Sequence, residues 1–408
     1  MYQIGFSIYV FLFRIVALFH SKAAKMVRGQ RKTWKQLKSL DSNQPWLWFH
    51  ASSLGEFEQG RPVMESIRSQ YPDYRILLTF YSPSGYEVQK NYAGADLVCY
   101  LPFDTWFNVK RFIKLVQPKR AFFIKYEFWP NYLTQLAKYE IPTYLISGIF
   151  RTEQLFFKKY GKSYRGLLNT FNHIFVQNNE SLALLRSIGR KKDVTKTGDT
   201  RYDRVMQIRN QAKDIPEIEA FRNHHADSVV LIAGSSWPKD EEHIISYFNQ
   251  NPTLKLILAP HQIDNAHLQW IENKLGRPHL RLSKANAETV KNCDCILIDC
   301  FGLLSSIYRF GDMAYIGGGF GNGIHNTLEA VVYGIPVIFG PNYKRFQEAK
   351  DLLACGGAKT IATPEEFNKI IDLWINDIET RKEAGKKAFE LVEQNSGGTQ
   401  LVLLTVPL

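Results

Sequence analysis

The segment Tyr315-Ile-Gly-Gly-Gly-Phe-Gly-Asn-Gly-Ile-His-Asn-Thr-Leu-Glu329 gathers residue types that together could hold a nucleotide. An apolar strand, Met313 to Ile316, runs into a glycine-rich turn, and the pattern predicts a helix starting near His325. Glycine admits positive φ and leaves no Cβ between main-chain N–H groups and a ligand. A helix N-terminus behind such a turn offers unpaired donors and a positive dipole end, which suit a phosphate. Asn326 and Glu329 share a helix face at i, i+3. A phosphate would repel Glu329, so accepting hydrogen bonds from ribose hydroxyls is the better task for it. The competing reading is a glycine-rich turn that only packs tightly; the adjoining His-Asn and Glu tip the balance toward a ligand.

Other candidates stand at strand ends. Trp48-Phe-His-Ala-Ser-Ser-Leu-Gly-Glu56 reads as a strand, a small-residue turn and a helix start. Ser52 and Ser53 can cap that helix. Glu56 is then either an acid stabilising a helix N-terminus or a general base, which needs hydrogen-bond reach and a suitable pKa. A second carboxylate, Glu127, lies in Phe123-Ile-Lys-Tyr-Glu-Phe-Trp-Pro-Asn131, among aromatics, with Pro130 fit for the first turn of a helix. Further on, Gly234, Ser235 and Ser236 end one apolar run and His261 the next, where all could meet the same phosphate.

Positioning these residues takes a particular scaffold. Apolar runs at 46–50, 75–80, 97–100, 121–124, 143–146 and 173–176 alternate with helical patterns, and the alternation resumes at 229–233, 254–259, 295–298, 313–316 and 336–339. That is the signature of an α/β chain with parallel, doubly wound sheets, whose ligands sit beyond the carboxyl ends of strands. With 408 residues, two such domains are expected, at 41–204 and 228–408, joined by a polar linker at 205–227 and facing across a cleft.

The net charge of +12 is unevenly spread. Lys22, Lys25, Arg28, Arg31, Lys32, Lys35 and Lys38 follow the apolar segment Ile4–Phe19, which carries Arg14 as its single charge. Residues 1–40 therefore read as an apolar anchor with a basic flank, either a short span or an interfacial helix held to anionic lipid. If the segment spans, the positive-inside rule puts the body in the cytoplasm; a buried N-terminal helix is the weaker reading, because the basic run would then have no evident partner. A nucleic-acid binder is disfavoured, because the charge sits beside an apolar anchor. Cys99, Cys293, Cys295, Cys300 and Cys355 are odd in number and lack CxxC pairs, which argues against a disulfide framework and a zinc site.

Taken in order, the motifs resemble the 3-deoxy-D-manno-octulosonic acid (Kdo) transferases. They are His-Ala-x-Ser-x-Gly-Glu at 50–56, Glu-x-Trp-Pro-Asn at 127–131, Gly198-Asp-Thr-Arg-Tyr-Asp203, Ala233-Gly-Ser-Ser236, Gly317-Gly318, His325-Asn-x-Leu-Glu329 and Phe339-Gly-Pro341. The resemblance implies a GT-B fold and inverting transfer of Kdo from CMP-Kdo to a lipid A precursor in lipopolysaccharide synthesis. It implies a base at Glu56 and a second essential acid at Glu127. Donor contacts are expected from Ser235, Ser236, His261, Gly318, Gly319, Asn322, Gly323, His325, Asn326 and Glu329. Acceptor contacts are expected from Ser53, Gly55 and Lys125. The partners would be CMP-Kdo, a lipid A precursor and the cytoplasmic leaflet of the inner membrane, with no nucleic acid. No Asp-x-Asp metal motif stands out, so neither metal nor cofactor is invoked. Two departures from the family pattern matter. Lys125 stands where many relatives have an acid two residues before Glu127, and His261 where many have Arg, which leaves His261, Lys344 or Arg345 to supply the phosphate's positive charge. The alternatives are a GT-B transferase using a UDP-sugar and a non-catalytic membrane-bound nucleotide-sugar binder.

Overall fold

Runs such as Trp46-Leu-Trp-Phe-His-Ala51 are apolar at nearly every position instead of alternating, which suits strands covered on both faces. The computed structural model describes residues 2–41 and 43–408, so Met1 of the expected anchor and Ser42 of the expected first domain lie outside the described residues. Among the described residues, the chain forms two seven-stranded, all-parallel sheets. Every residue of the Trp46–Ala51 strand is buried.

The first unit comprises the chain up to Arg204 and the segment Ser396–Leu408. Its strands are β1 (Trp46–Ala51), β2 (Arg75–Phe80), β3 (Leu97–Tyr100), β4 (Arg120–Ile124), β5 (Thr143–Gly148), β6 (His173–Val176) and β7 (Val194–Lys196). They lie in the order β3-β2-β1-β4-β5-β6-β7. The chain winds outward from β1 to β3 and then returns to β4 on β1's other side. The carboxyl ends of β1 and β4 therefore form the switch point at which such sheets hold ligands.

The second unit, Val205–Asn395, repeats the plan. Its strands are β8 (Val229–Ser236), β9 (Leu254–Pro260), β10 (His279–Arg281), β11 (Cys295–Leu297), β12 (Met313–Ile316), β13 (Val337–Phe339) and β14 (Ala358–Thr360), in the order β10-β11-β9-β8-β12-β13-β14. Its switch point lies between β8 and β12.

Three edge strands, β7, β10 and β14, were not expected, and the boundaries between units differ from the expected ones. The stretch 205–227 is no bare linker: it carries most of the helix Arg201–Asn210 and all of the helix Pro216–His224, which buries Ile218 and Phe221. The chain end leaves the second unit for the first. Val402 and Val406 join the apolar cluster that holds Phe57, Val63 and Met64. Asp203 accepts hydrogen bonds from Gly397 N at 2.5 Å and Thr399 N at 2.7 Å.

The N-terminal apolar segment does not form one helix. Helix α1 (Tyr2–Val16) and helix α2 (Ser21–Lys38) meet at 114°, and no single described helix is long and apolar enough to cross a membrane. Helix α2 buries Ala23, Met26, Gln30, Thr33 and Leu37, spaced three or four residues apart along one face. All seven cations of the basic run lie on its exposed side. On α1, Ile4, Ile8, Phe11 and Leu12 are exposed.

Candidate functional site

At the first switch point, β1 gives way at Ser52 and Ser53 to helix α3 (Leu54–Gln70), which puts Glu56 in its first turn. Glu56 Oε2 accepts the Ser52 N–H at 2.6 Å, so the carboxylate does close the helix end. It is more than a cap, however. Burial, and then the nearby Glu127, push its carboxyl up to about 7, against the Ser52 N–H and Lys125, which pull it down. A carboxyl in that range can exchange a proton near neutral pH.

Glu127 follows β4. Lys125 takes φ +68° there, a left-handed backbone rare outside glycine, which turns the chain sharply before the helix Pro130–Lys138. The Glu127 side chain is only 9% exposed; its Oε2 receives the Trp129 indole N–H at 2.6 Å and lies 3.0 Å from His50 Nε2. Trp129 also packs on Tyr81, with ring centres 4.8 Å apart. The two carboxylates expected to act together are thus neighbours within one unit. Lys125 faces Glu56 electrostatically and lies over the Tyr126 ring at 5.2 Å. Ser53 is the N-cap residue of α3, and Gly55 is exposed with open space where a Cβ would be.

The second switch point departs from the expected phosphate cradle. The helix after the glycine turn starts at Leu328, so His325 and Asn326 precede it, and it runs only to Val331. Asn326 terminates the turn instead: its Oδ1 accepts Leu328 N at 3.1 Å, and its amide donates to Glu329 at 2.9 Å. Most of the N–H groups of the turn are taken internally. Gly317 donates to Gly234 O, Gly318 to Asp240 Oδ2, Gly321 and Gly323 to Gly318 O, and His325 to Gly317 O. The glycines permit close backbone packing: a Cβ on Gly317 would lie 2.2 Å from Ser235 O, and one on Gly319 2.5 Å from Gly340 N. Tight packing therefore explains these two residues, and direct donation by Gly318 N–H is ruled out by its bond to Asp240.

The side chains at this end form a connected set. Ser235 takes φ +52° where β8 bulges against β9, and the buried Ser236 hydroxyl donates to Glu241 at 3.0 Å. The exposed His261 ring stacks on both Trp237 and His325, at 4.5 and 4.7 Å between centres. Trp237 Nε1 donates to His325 Nε2 at 3.0 Å. Burial, and then His261, hold the His325 pKa below its ordinary value, so it accepts as a neutral ring. Arg345 donates to the carbonyl of Asn322 and borders Gly323; Lys344 is exposed.

Three residues escaped the sequence reading. Asp240 joins Trp237 N, Tyr315 Oη and Gly318 N, which ties the first turn of the helix Pro238–Gln250 to the glycine segment. Its position three residues after the N-cap was the available signal. Asp104, fully buried, accepts from Tyr2 Oη at 2.8 Å, Asn131 N at 3.1 Å and Tyr132 N at 3.0 Å, and so ties α1 to the Glu127 turn. Burial pushes its carboxyl up to about 7. His50 opened a recognised motif, but nothing in the sequence paired it with Glu127. Among the described residues, no group of three or more His, Cys, Asp or Glu is arranged to hold a metal ion.

Two doubly wound parallel units, each with polar side chains gathered at its switch point, define the GT-B class of protein. Known structures share that fold. A putative UDP-N-acetylglucosamine 2-epimerase from Listeria monocytogenes matches with TM-score 0.57 at 11% identity, covering 88% of this chain and 95% of that one. Acinetobacter baumannii MurG matches with TM-score 0.54 at 12% identity, covering 88% and 98%. Residues 26–204 match the family model for 3-deoxy-D-manno-octulosonic-acid transferase (kdotransferase). The 3-deoxy-D-manno-octulosonic acid transferase of Aquifex aeolicus (strain VF5) is 31% identical over 329 residues, 79% of this chain and 83% of that protein. The enzyme of the same name from Haemophilus influenzae is 26% identical over 372 residues, 88% and 85% of the two chains. The chain belongs to the 3-deoxy-D-manno-octulosonic acid transferase family and is a glycosyltransferase.

Proposed function

We propose that the protein moves Kdo from CMP-Kdo to a hydroxyl of a lipid A precursor, with inversion at the anomeric carbon, at the cytoplasmic face of the inner membrane. Glu56 takes the proton of the acceptor hydroxyl as its oxygen bonds to the anomeric carbon. The bond from that carbon to the CMP phosphate oxygen breaks through an oxocarbenium-like transition state. CMP leaves carrying its phosphate, and the positive charge it needs comes from Arg345, Lys344 or His261. Ser235, Asn322, Asn326 and Glu329 bind the rest of the donor, the last two through the ribose. Glu127 completes the acid pair, and Ser53, Gly55 and Lys125 border the acceptor.

The observation that carries this reading is the pair of acids at the switch point of the first sheet, half-buried Glu56 in the first turn of α3 and buried Glu127 after β4. Burial and Glu127 push the Glu56 carboxyl up to about 7. Support for a lipid acceptor comes from the same unit. An apolar groove of about 300 Å³, lined by Tyr126, Phe128, Leu155 and Phe156, adjoins Glu127. The exposed apolar residues of α1 are joined to the Glu127 turn through Tyr2, Asp104 and Asn131. The test is a transfer assay with purified protein, tetraacylated lipid A precursor and CMP-Kdo generated in situ, with products weighed by mass spectrometry. A mass gain of one or more Kdo units is expected. No gain from a protein that binds CMP would overturn the acceptor, and displacement of the donor by UDP but not CMP would overturn the donor.

A further inference from the structure

His50 lies on β1, wholly buried, and has no part in the chemistry proposed above. Its neighbours in register are Thr79 on β2 and Phe123 on β4. Its Nδ1 stands 3.1 Å from the Thr79 carbonyl oxygen and 2.9 Å from Thr79 Oγ1. A carbonyl oxygen can only accept, so a hydrogen bond across this contact puts a proton on Nδ1. Thr79 Oγ1 already receives the Trp48 indole N–H at 2.8 Å and has the Phe49 carbonyl at 3.3 Å for its own proton. With Nδ1 protonated, a neutral ring would present only a lone pair at Nε2. That lone pair would face Glu127 Oε2 at 3.0 Å, and an ionised carboxylate is likewise an acceptor. Two acceptors facing each other in a buried site repel, and one further proton removes the conflict. Trp129 Nε1 donates to both, at 2.6 Å to Oε2 and 3.1 Å to Nε2; a single N–H shared between two facing acceptors, and held closer to the carboxylate, offsets their repulsion only in part.

We infer that His50 is the positioning residue of Glu127: the two share a single proton across the Nε2–Oε2 contact, which turns Oε2 inward and presents Oε1 to the substrate. Oε1 accepts no hydrogen bond from the described residues, whereas Oε2 is held from two sides. The charged and titratable groups around the pair are Glu56 on α3, Tyr81 beyond β2 and Lys125 after β4. The consequence for turnover rests on the role proposed for Glu127; the proton count does not.

The experiment uses the full chain labelled with ¹⁵N-histidine, with His50 assigned by its loss in His50→Gln. Expected at neutral pH are a protonated Nδ1 and an Nε2 signal shifted away from the free, unprotonated range. Glu127→Gln should return Nε2 to the unprotonated range with Nδ1 unchanged. An unprotonated Nδ1 in the unaltered protein, or a ring spectrum indifferent to Glu127→Gln, would overturn the inference. These spectra stand whether or not the protein transfers Kdo, so a failure here is separable from a failure of the proposed reaction. In the transfer assay, His50→Gln should lower kcat by about 10- to 100-fold, as expected for a partner that orients a functional group. KM for the donor should be unchanged. An unaltered kcat would remove the positioning role even if the proton is shared.

Discussion

Glu56 carries two demands on one carboxylate. Oε2 closes the end of α3 through the Ser52 N–H, a task that favours the ionised form. Burial and Glu127 oppose ionisation more strongly, and the balance leaves the carboxyl at about 7. If Glu56 is the base, Glu56→Gln preserves the shape and the cap acceptor but cannot take the proton. It should keep CMP binding and lose roughly 10²–10⁴-fold in kcat; near-normal turnover would reassign the base. The acid limb of the pH profile offers a second, signed check. The active form is the carboxylate, so kcat rises as pH rises through about 7. Glu127 raises the Glu56 pKa, so Glu127→Gln should move that limb to lower pH in whatever activity survives. Lys125 lowers it, so Lys125→Gln should move the limb to higher pH. Both variants shifting the limb the same way would mean it reports another group. The acids were legible as separate residues, each at a strand end. His50 was not legible as a partner, because it lies 77 positions from Glu127 and only the β1–β4 register brings them together.

At the scale of elements, legibility followed burial. Long apolar runs such as Leu254–Pro260 declared themselves because both faces of the sheet are covered. The edge strands Val194–Lys196, His279–Arg281 and Ala358–Thr360 are three residues long and none is buried throughout, so they left no such signature. The glycine segment was readable as a turn but not in its mechanism. Most of its N–H groups are taken internally, which leaves the proposed donor contacts to side chains that the turn holds in place. Gly319→Ala tests this at the element itself. The added Cβ would meet Gly340 N at 2.5 Å, backbone on backbone, so neither side can yield by a rotamer change. Overpacking of this kind costs roughly 1–3 kcal/mol. Denaturant unfolding should show that loss together with weakened CMP binding, and unchanged stability would mean the two turns do not meet.

At the scale of the molecule, the N-terminal pair α1 and α2 reconciles two readings that the sequence set in opposition. A buried helix seemed incompatible with a run of seven cations, yet α2 is both: its inner face packs on the first unit and its outer face holds every cation. Beside it, α1 exposes Ile4, Ile8, Phe11 and Leu12. Apolar residues next to exposed cations are the makings of an interfacial attachment, in which burial of the apolar face and attraction to anionic lipid add. Each Lys or Arg near such a surface contributes about 1 kcal/mol. Replacing Lys25, Arg28 and Lys32 together with Gln should therefore weaken binding to phosphatidylglycerol-containing vesicles on the order of a hundredfold in co-sedimentation. The deficit should shrink as salt screens the remaining charges. Phe11→Asp should weaken binding to neutral and anionic vesicles alike, because it acts on the apolar contribution. Equal binding of the unaltered protein to neutral and anionic vesicles would remove the basic face from the attachment. Failure to bind either would leave the exposed apolar face of α1 to some other surface, and the lipid acceptor would have to reach Glu56 by a route other than the membrane plane.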